Sequence, residues 1–252
     1  MQFNFVTTFS NEYSQGFGMK MTESIKKYFP NNADLTVYYE GENLPLSNSK
    51  VKYLPFPMNE IDVFKKNFGH KQDHIVGQLH PEKDSFIYDR QKTFKFDAIR
   101  FTWKVYAMLE HHDKCDGRYM GFIDADVELT KQIPDNFFNT LVKEGSYVSY
   151  LNRTRQHTET GFLIYDTHHP HHKIWWKGMK DLYQNGSLFE LEYWTDSHAF
   201  DHLLHEAKSA GVDVNPLVNP KIMDHGWLGS PLRFYSEHYK GPSKYTVKGV
   251  SS

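Results

Sequence analysis

Two carboxylates, Asp124 and Asp126, stand one residue apart directly after the apolar run Met120-Gly121-Phe122-Ile123. Side chains alternate along an extended chain, so residues i and i+2 point the same way and can share one hard divalent cation, directly or through water. Oxygen ligands suit Mg2+ or Mn2+, and such ions keep open positions for substrate phosphates. The spacing therefore fits a metal-diphosphate site at the end of a sheet strand. A D-x-D triplet by itself is close to chance in a chain with 31 acidic residues. What singles this one out is its setting, since an apolar strand that runs straight into acid makes poor sense for a core and good sense at a site.

The elements that must position this pair follow from periodicity. Phe3 to Thr8 reads as a buried first strand, and Met21, Ile25, Tyr28 and Phe29 mark a helix stopped by Pro30-Asn31-Asn32. Leu35 to Tyr39 reads as a second strand closed by Glu40-Gly41, so the chain opens β-α-β, the signature of a parallel sheet with helices on its faces. Pro45, Pro55, Pro57 and Pro81 break the region 42–92 into irregular pieces with one helix near Ile61 to Phe68 and long loops, a candidate flap. Ala98, Phe101, Val105, Met108 and Leu109 then mark the amphipathic helix that leads into the acid-bearing strand. Beyond it the pattern predicts a helix near Pro134 to Lys143 and strands near Tyr147 to Leu151 and Phe162 to Tyr165. Two helices follow, near Pro170 to Tyr183 and Ser197 to Ala207, with Gly211 as C-terminal cap. The expected architecture is one α/β domain spanning residues 1–252, Rossmann-like, with a mostly parallel central sheet.

Composition narrows the function classes. A formal net charge of -2 gives no electrostatic basis for tight non-specific nucleic-acid binding. The single cysteine, Cys115, excludes an intrachain disulfide framework and favours a reducing compartment. No apolar run reaches membrane-spanning length and the first residues lack a signal-peptide layout, so a soluble, cytoplasmic protein is expected. The aromatic surplus, 19 Phe, 16 Tyr and 5 Trp, serves either core packing or clefts for ring-shaped ligands.

The opening stretch FVTTFSNEYSQGFGMKMTESI resembles the start of GT-A glycosyltransferases of family eight, the glycogenin and galactinol-synthase type. Further matches follow in order: WKVYAM, RYMGFIDADVEL, TETGFLIYD, WTDSHAFDHLL and EHYKGPSKY. The resemblance implies a metal-dependent hexosyltransferase that takes a nucleoside diphosphate sugar, UDP-sugar above all, as donor. It assigns the nucleotide to Thr7, Thr8, Asn11 and Tyr13, and donor contacts to Arg100, Lys104, Ala125 and Gly161. It implies that Asp124 and Asp126 bind Mn2+ (or Mg2+) and the donor. By the same resemblance His238 would complete the metal sphere, the Gly241 backbone would approach a phosphate and Lys244 would neutralise the departing diphosphate. Glu159 stands for the usual Asn, Ser197 for the usual Gln, and a final Pro-Trp is reduced to Tyr245.

Family eight implies retention of anomeric configuration, with the acceptor deprotonated by the leaving phosphate. An inverting reaction would need a carboxylate base, for which Glu159 and Asp196 are the candidates. Asp196 also reads as an N-cap of the helix that follows it. Glycan, protein, lipid and small-molecule hydroxyls are open as acceptors, as is a modified DNA base, for which the near-neutral charge gives no support. Two other readings fit Asp124-Asp126: a metal-dependent phosphohydrolase of the haloacid-dehalogenase type with Asp124 as nucleophile, and a non-catalytic nucleotide or sugar binder. His225, in MDHGWLGSP, rivals His238 as the imidazole, but only His238 is followed by G-x-x-K; His225, Trp227 and Trp194 suit sugar stacking. The run His168-His169-Pro170-His171-His172 cannot turn every imidazole to one ion and reads as a solvated or acceptor-facing loop opening a helix.

Overall fold

In the computed structural model of the chain, the described residues are 1–11, 14–79, 94–154, 156–221, 223 and 225–239. Strand β1 (Phe3–Phe9) lies between β2 (Ala33–Tyr39) and β4 (Tyr119–Ile123) and is parallel to both. A strand covered on both faces has no solvent side to make polar. This is why FNFVTTF, VYY and YMGFI read as continuous apolar runs rather than alternating ones.

The helix between β1 and β2, α1 (Met19–Tyr28), buries Met21 and Ile25 as the spacing predicts. Strand β3 (Val51–Pro55) adds a further parallel neighbour to β2. Helix α2 (Met58–Leu79) and helix α3 (Ala98–Lys114) lie between β3 and β4 in the chain. After β4 come β5 (Val127–Leu129), α4 (Phe137–Thr140), β6 (Val148–Leu151), β7 (Glu159–Asp166), α5 (His172–Gln184), α6 (Asp196–Ser209), β8 (Asn215–Pro216) and β9 (Ser236–His238).

Seven strands form one sheet in the order β3-β2-β1-β4-β7-β6-β8, and β5 and β9 form a separate antiparallel ribbon. Within the large sheet β7 runs antiparallel to both β4 and β6, and the remaining pairings are parallel. The chain builds outward from β1 through β2 to β3, then returns to β4 on the other side of β1. That reversal is a topological switch point, and the crevice beyond the carboxyl ends of β1 and β4 is where such sheets place ligands.

Alternating residues of the strands feed two cores. Met120, Phe122, Leu163 and Tyr165 pack with Trp175, Trp176 and Phe200 on the face covered by α2, α3, α5 and α6. Phe3, Phe5, Ile123 and Phe162 pack with Phe29, Phe138 and Trp227 on the face covered by α1 and α4. The aromatic surplus is thus spent mainly on packing, as the ring pairs Phe5–Phe138 at 4.8 Å and Tyr165–Trp176 at 5.2 Å illustrate.

Several expectations shift. The irregular region contains strand β3, whose Val51 and Tyr53 are buried and whose Pro55 sits at its last position, where a missing N–H costs little. Its helix is 22 residues long rather than eight, and residues 80–93 lie outside those described. Helix α4 is a single turn where ten residues were expected. Gly211 does follow α6 with φ +78, the left-handed conformation that ends helices, and its N–H reaches Lys208 O at 3.0 Å.

Candidate active site

At the end of β4 the chain does not stay extended. It turns tightly, Val127 N–H donating to Asp124 O at 3.1 Å, so strand alternation is not what brings the two carboxylates together. Their shared direction comes from how the turn is tied down. Asp124 N–H donates to Gly161 O on β7 (2.9 Å), and Tyr239 N–H donates to Asp126 O (3.0 Å). The β5–β9 ribbon sets Val127 opposite His238. As a result His238 Nε2 lies 3.0 Å from Asp126 Oδ1 and 3.5 Å from Asp124 Oδ2, and one ligand atom from each of the three residues falls within 4.8 Å of the others.

Gly161 makes room for this cluster. A Cβ at that position would lie 2.8 Å from Asp124 Oδ2 and 2.8 Å from His238 Cε1. Two carboxylates and one imidazole are a donor set that Mn2+ accepts, so the residues present fit the expected cation. The His238 ring packs on Trp227, centroids 4.8 Å apart, and the Trp227 indole donates to Ser236 O at 3.4 Å. Trp227 is therefore a buried support for the His238 ring, not an exposed platform for a sugar, and Trp194 is buried against Phe96 and Phe189. His225 is exposed, and its Nδ1 accepts the Leu228 N–H.

Lys104 joins the cluster from α3. Its Nζ lies 2.8 Å from Asp196 Oδ2, 3.2 Å from Asp124 Oδ1 and 2.7 Å from Thr160 O, over the Phe122 ring. Burial disfavours its charge, yet Asp124 and Asp196 together outweigh burial and raise its pKa. The same balance holds for His238, where burial opposes protonation and the bonds to Asp124 and Asp126 win, raising it above an ordinary imidazole. Two carboxylates, Asp124 and Asp196, face the Lys104 ammonium and a third, Asp126, lies beside His238, a concentration of acid that a divalent cation would offset.

Asp196 is the first residue of α6, but it does not cap it. Thr195 is the N-cap, its Oγ1 accepting the His198 N–H, and this frees the Asp196 carboxylate to meet Lys104 and the Thr160 hydroxyl at 2.6 Å. Glu159 opens β7, buried, with its Cβ and Cγ filling the space above Gly226 and Arg153 Nη1 at 4.0 Å. A Cβ on Gly161 would come within 3.2 Å of Glu159 Oε1, so this carboxylate borders the cluster. Ala125 is buried inside the turn.

The nucleotide candidates form a separate corner at the ends of β1 and β2. Thr7 is fully buried, with no described partner for its hydroxyl; Thr8 Oγ1 lies 2.7 Å from Tyr38 O and 3.0 Å from Glu40 Oε1; Asn11 Oδ1 accepts from the Tyr39 hydroxyl at 2.9 Å. Burial pushes the Glu40 carboxyl up to about 7, against the opposing Thr8 hydrogen bond. Glu40 is a polar residue of this corner that sequence reasoning passed over, although it follows an apolar strand as abruptly as Asp124 does. Arg100 is exposed on α3 with its guanidinium carbon 5.2 Å from the Phe94 ring centre. Tyr13, Gly241, Lys244 and Tyr245 lie outside the described residues.

The histidine run does open a helix, α5, but His172 is buried rather than solvated. Its Nε2 faces His112 Nδ1 at 3.0 Å and its Nδ1 faces the Tyr147 hydroxyl at 3.3 Å. Among the described residues, no helix is long and apolar enough to cross a membrane.

No protein-family model matches the sequence, and no curated protein matches it. Among solved structures the chain is similar to mouse xyloside xylosyltransferase 1, at 10% identity over 90% of this chain and 91% of that one, with a TM-score of 0.44. It is similar to an active-site variant of LgtC, at 11% identity over 95% and 88%, with a TM-score of 0.48. It is also similar to the bifunctional glycosyltransferase WbbM, at 11% identity and a TM-score of 0.47, covering 86% of this chain but only 39% of that one.

Proposed function

We propose that the chain is a metal-dependent glycosyltransferase of the GT-A, family-eight kind, which moves a hexose from UDP to an acceptor hydroxyl. The observation that carries this is the convergence of Asp124, Asp126 and His238, with Asp126 and His238 112 residues apart in sequence, beside the switch point of the sheet. Chance acid pairs in loops do not recruit a buried imidazole and a buried ammonium from distant elements.

Asp124, Asp126 and His238 would hold Mn2+ or Mg2+. When bound, such a cation supplies the positive charge that a departing diphosphate needs. The side chains of this chain do the rest. Lys104 fixes Asp124 and Asp196 relative to one another, so one proposed metal ligand and the sugar-side carboxylate are held by one ammonium. Asp196 and Glu159 border the place where the donor sugar would lie, as hydrogen-bond acceptors for its hydroxyls. Thr7, Thr8, Asn11 and Tyr13 would receive the nucleoside, with Arg100 at its edge. Gly241 and Lys244 would close on the diphosphate.

Retention is the outcome this reading favours, with the acceptor proton passing to the leaving phosphate; an inverted anomer in product NMR would reassign Glu159 or Asp196 as base. Incubation with UDP-glucose, UDP-galactose, UDP-xylose and GDP-mannose plus Mn2+ tests the class. Slow release of free sugar and UDP from one donor is expected. Cleavage of simple phosphomonoesters instead would favour a phosphohydrolase with Asp124 as nucleophile, and nucleotide binding without turnover would favour a binder.

A further inference from the structure

The loop entering β7 and the first turns of α6 carry a second group of titratable side chains that the donor chemistry leaves unused. His157 Nδ1 lies 2.9 Å from Asp201 Oδ2, and the Asp201 carboxylate also accepts the Thr158 N–H at 3.2 Å. The His157 ring lies against that of His198, centroids 3.4 Å apart, and Tyr193 meets His198 edge-on at 4.8 Å. Thr195 Oγ1, 2.8 Å from His198 Nδ1, fixes that second ring. Burial, with His157 beside it, lowers His198 to about 4, so His198 packs as a neutral ring.

A carboxylate facing Nδ1 places the ring hydrogen on that atom and leaves Nε2 with an available lone pair. No described residue bonds His157 Nε2, and the His157 side chain keeps 43% of its exposure. The result is an oriented acceptor for an O–H group. Its place is as informative as its geometry. His157 precedes Glu159 by two residues, and its ring neighbour His198 follows Asp196 by two. Thr160 Oγ1 closes the two segments on each other, 2.6 Å from Asp196 Oδ2 and 3.2 Å from Ser197 Oγ.

We propose that His157, backed by Asp201 and packed at a tilt on His198, forms the acceptor subsite. Its Nε2 accepts a hydrogen bond from a hydroxyl adjacent to the attacking one on a polyol or sugar, while the imidazole and the Tyr193 phenol offer faces for the carbon skeleton. This rests on the transferase reading above and deepens it by naming where, and by what group, the acceptor is oriented. His157 is a positioning residue in this scheme, and the acceptor proton can still leave with the phosphate.

The test uses the full chain, Mn2+, the donor it hydrolyses fastest, and glycerol as probe acceptor, with glyceryl glycoside and free sugar quantified by mass spectrometry. His157→Ala is expected to lower the ratio of glyceryl glycoside to free sugar about tenfold, the loss of one substrate hydrogen bond, while UDP affinity with Mn2+ is retained. His157→Gln, which keeps an oxygen acceptor, recovers part of the ratio. An unchanged ratio in His157→Ala overturns the proposal, because a residue that merely clasps the loop to α6 would depress both products together. Wild-type protein that hydrolyses donor but transfers nothing to glycerol overturns it too. A wild type that neither binds UDP with Mn2+ nor consumes any donor instead contradicts the transferase reading itself.

Discussion

His238 and His172 are both buried imidazoles, each held by a hydrogen bond to a distant part of the chain, and their proton affinities shift in opposite directions. His238 meets two carboxylates, Asp124 and Asp126, which overcome burial and raise its affinity for a proton. His172 meets another imidazole, His112, and a phenol, Tyr147, and burial pulls its pKa down to about 4. Around it Asp166 opposes the fall while His168 and His169 add to it, and His112 stacks flat on Trp176 at 5.1 Å. Burial alone makes histidine a neutral packing element; burial with carboxylates makes it one member of a charged set that a cation can complete.

The contrast is broken most severely at Lys104, whose ammonium separates Asp124 from Asp196. Lys104→Met leaves two carboxylates facing each other without a counter-ion and should cost about 3 kcal/mol in denaturant titrations; a loss near zero would mean that solvent carries these charges. Gly161→Ala comes next. Its methyl would press on Asp124 Oδ2 and His238 Cε1, each 2.8 Å away. Mn2+ affinity should fall by about 10- to 100-fold with a stability loss of about 1–2 kcal/mol, and wild-type Mn2+ affinity would show that these residues do not share an ion.

At neutral pH the smallest effect belongs to the uncharged cluster. Unfolded His172 takes a proton near its ordinary 6.5, and the folded form only near 4. Its contribution is therefore complete above pH 6.5 and is lost as pH falls through that window. His172→Gln should flatten the decline in stability between pH 6.5 and 4 by up to about 1.4 kcal/mol per pH unit, with Mn2+ affinity unaltered. An identical pH profile in the variant would mean that the pair is protonated in the folded protein.

How much of this was legible depends on the range of the interaction that fixes each element. Strands β1, β2 and β4 and helix α3 announce themselves because burial on one or both faces forces a local pattern. The acid pair was legible from its setting, but the reason first given for it, strand alternation, is not the operative one; the turn at Asp124 and the contacts of Gly161 and Tyr239 are. Strands β5 and β9 have three residues each, too few for any period, and exist because they pair with each other. His238 was accordingly reachable only by resemblance. β3 was hidden by the prolines around it, and the cap reading offered beside the site role of Asp196 fails because Thr195 does the capping and allows Asp196 to turn inward. Glu40 carried the same signal as Asp124 and was missed for want of a second carboxylate beside it.

The central claim is that Asp124, Asp126 and His238 hold the cation through which the donor is bound. Calorimetric titration of UDP into the full chain, with Mn2+ and then with excess EDTA, tests it most directly, with Asp126→Ala as the paired variant. UDP should bind with Mn2+, lose at least about 100-fold in affinity with EDTA, and show no Mn2+ dependence in Asp126→Ala. UDP affinity that is indifferent to EDTA, or an Asp126→Ala protein that binds Mn2+ and UDP like the wild type, would contradict the claim.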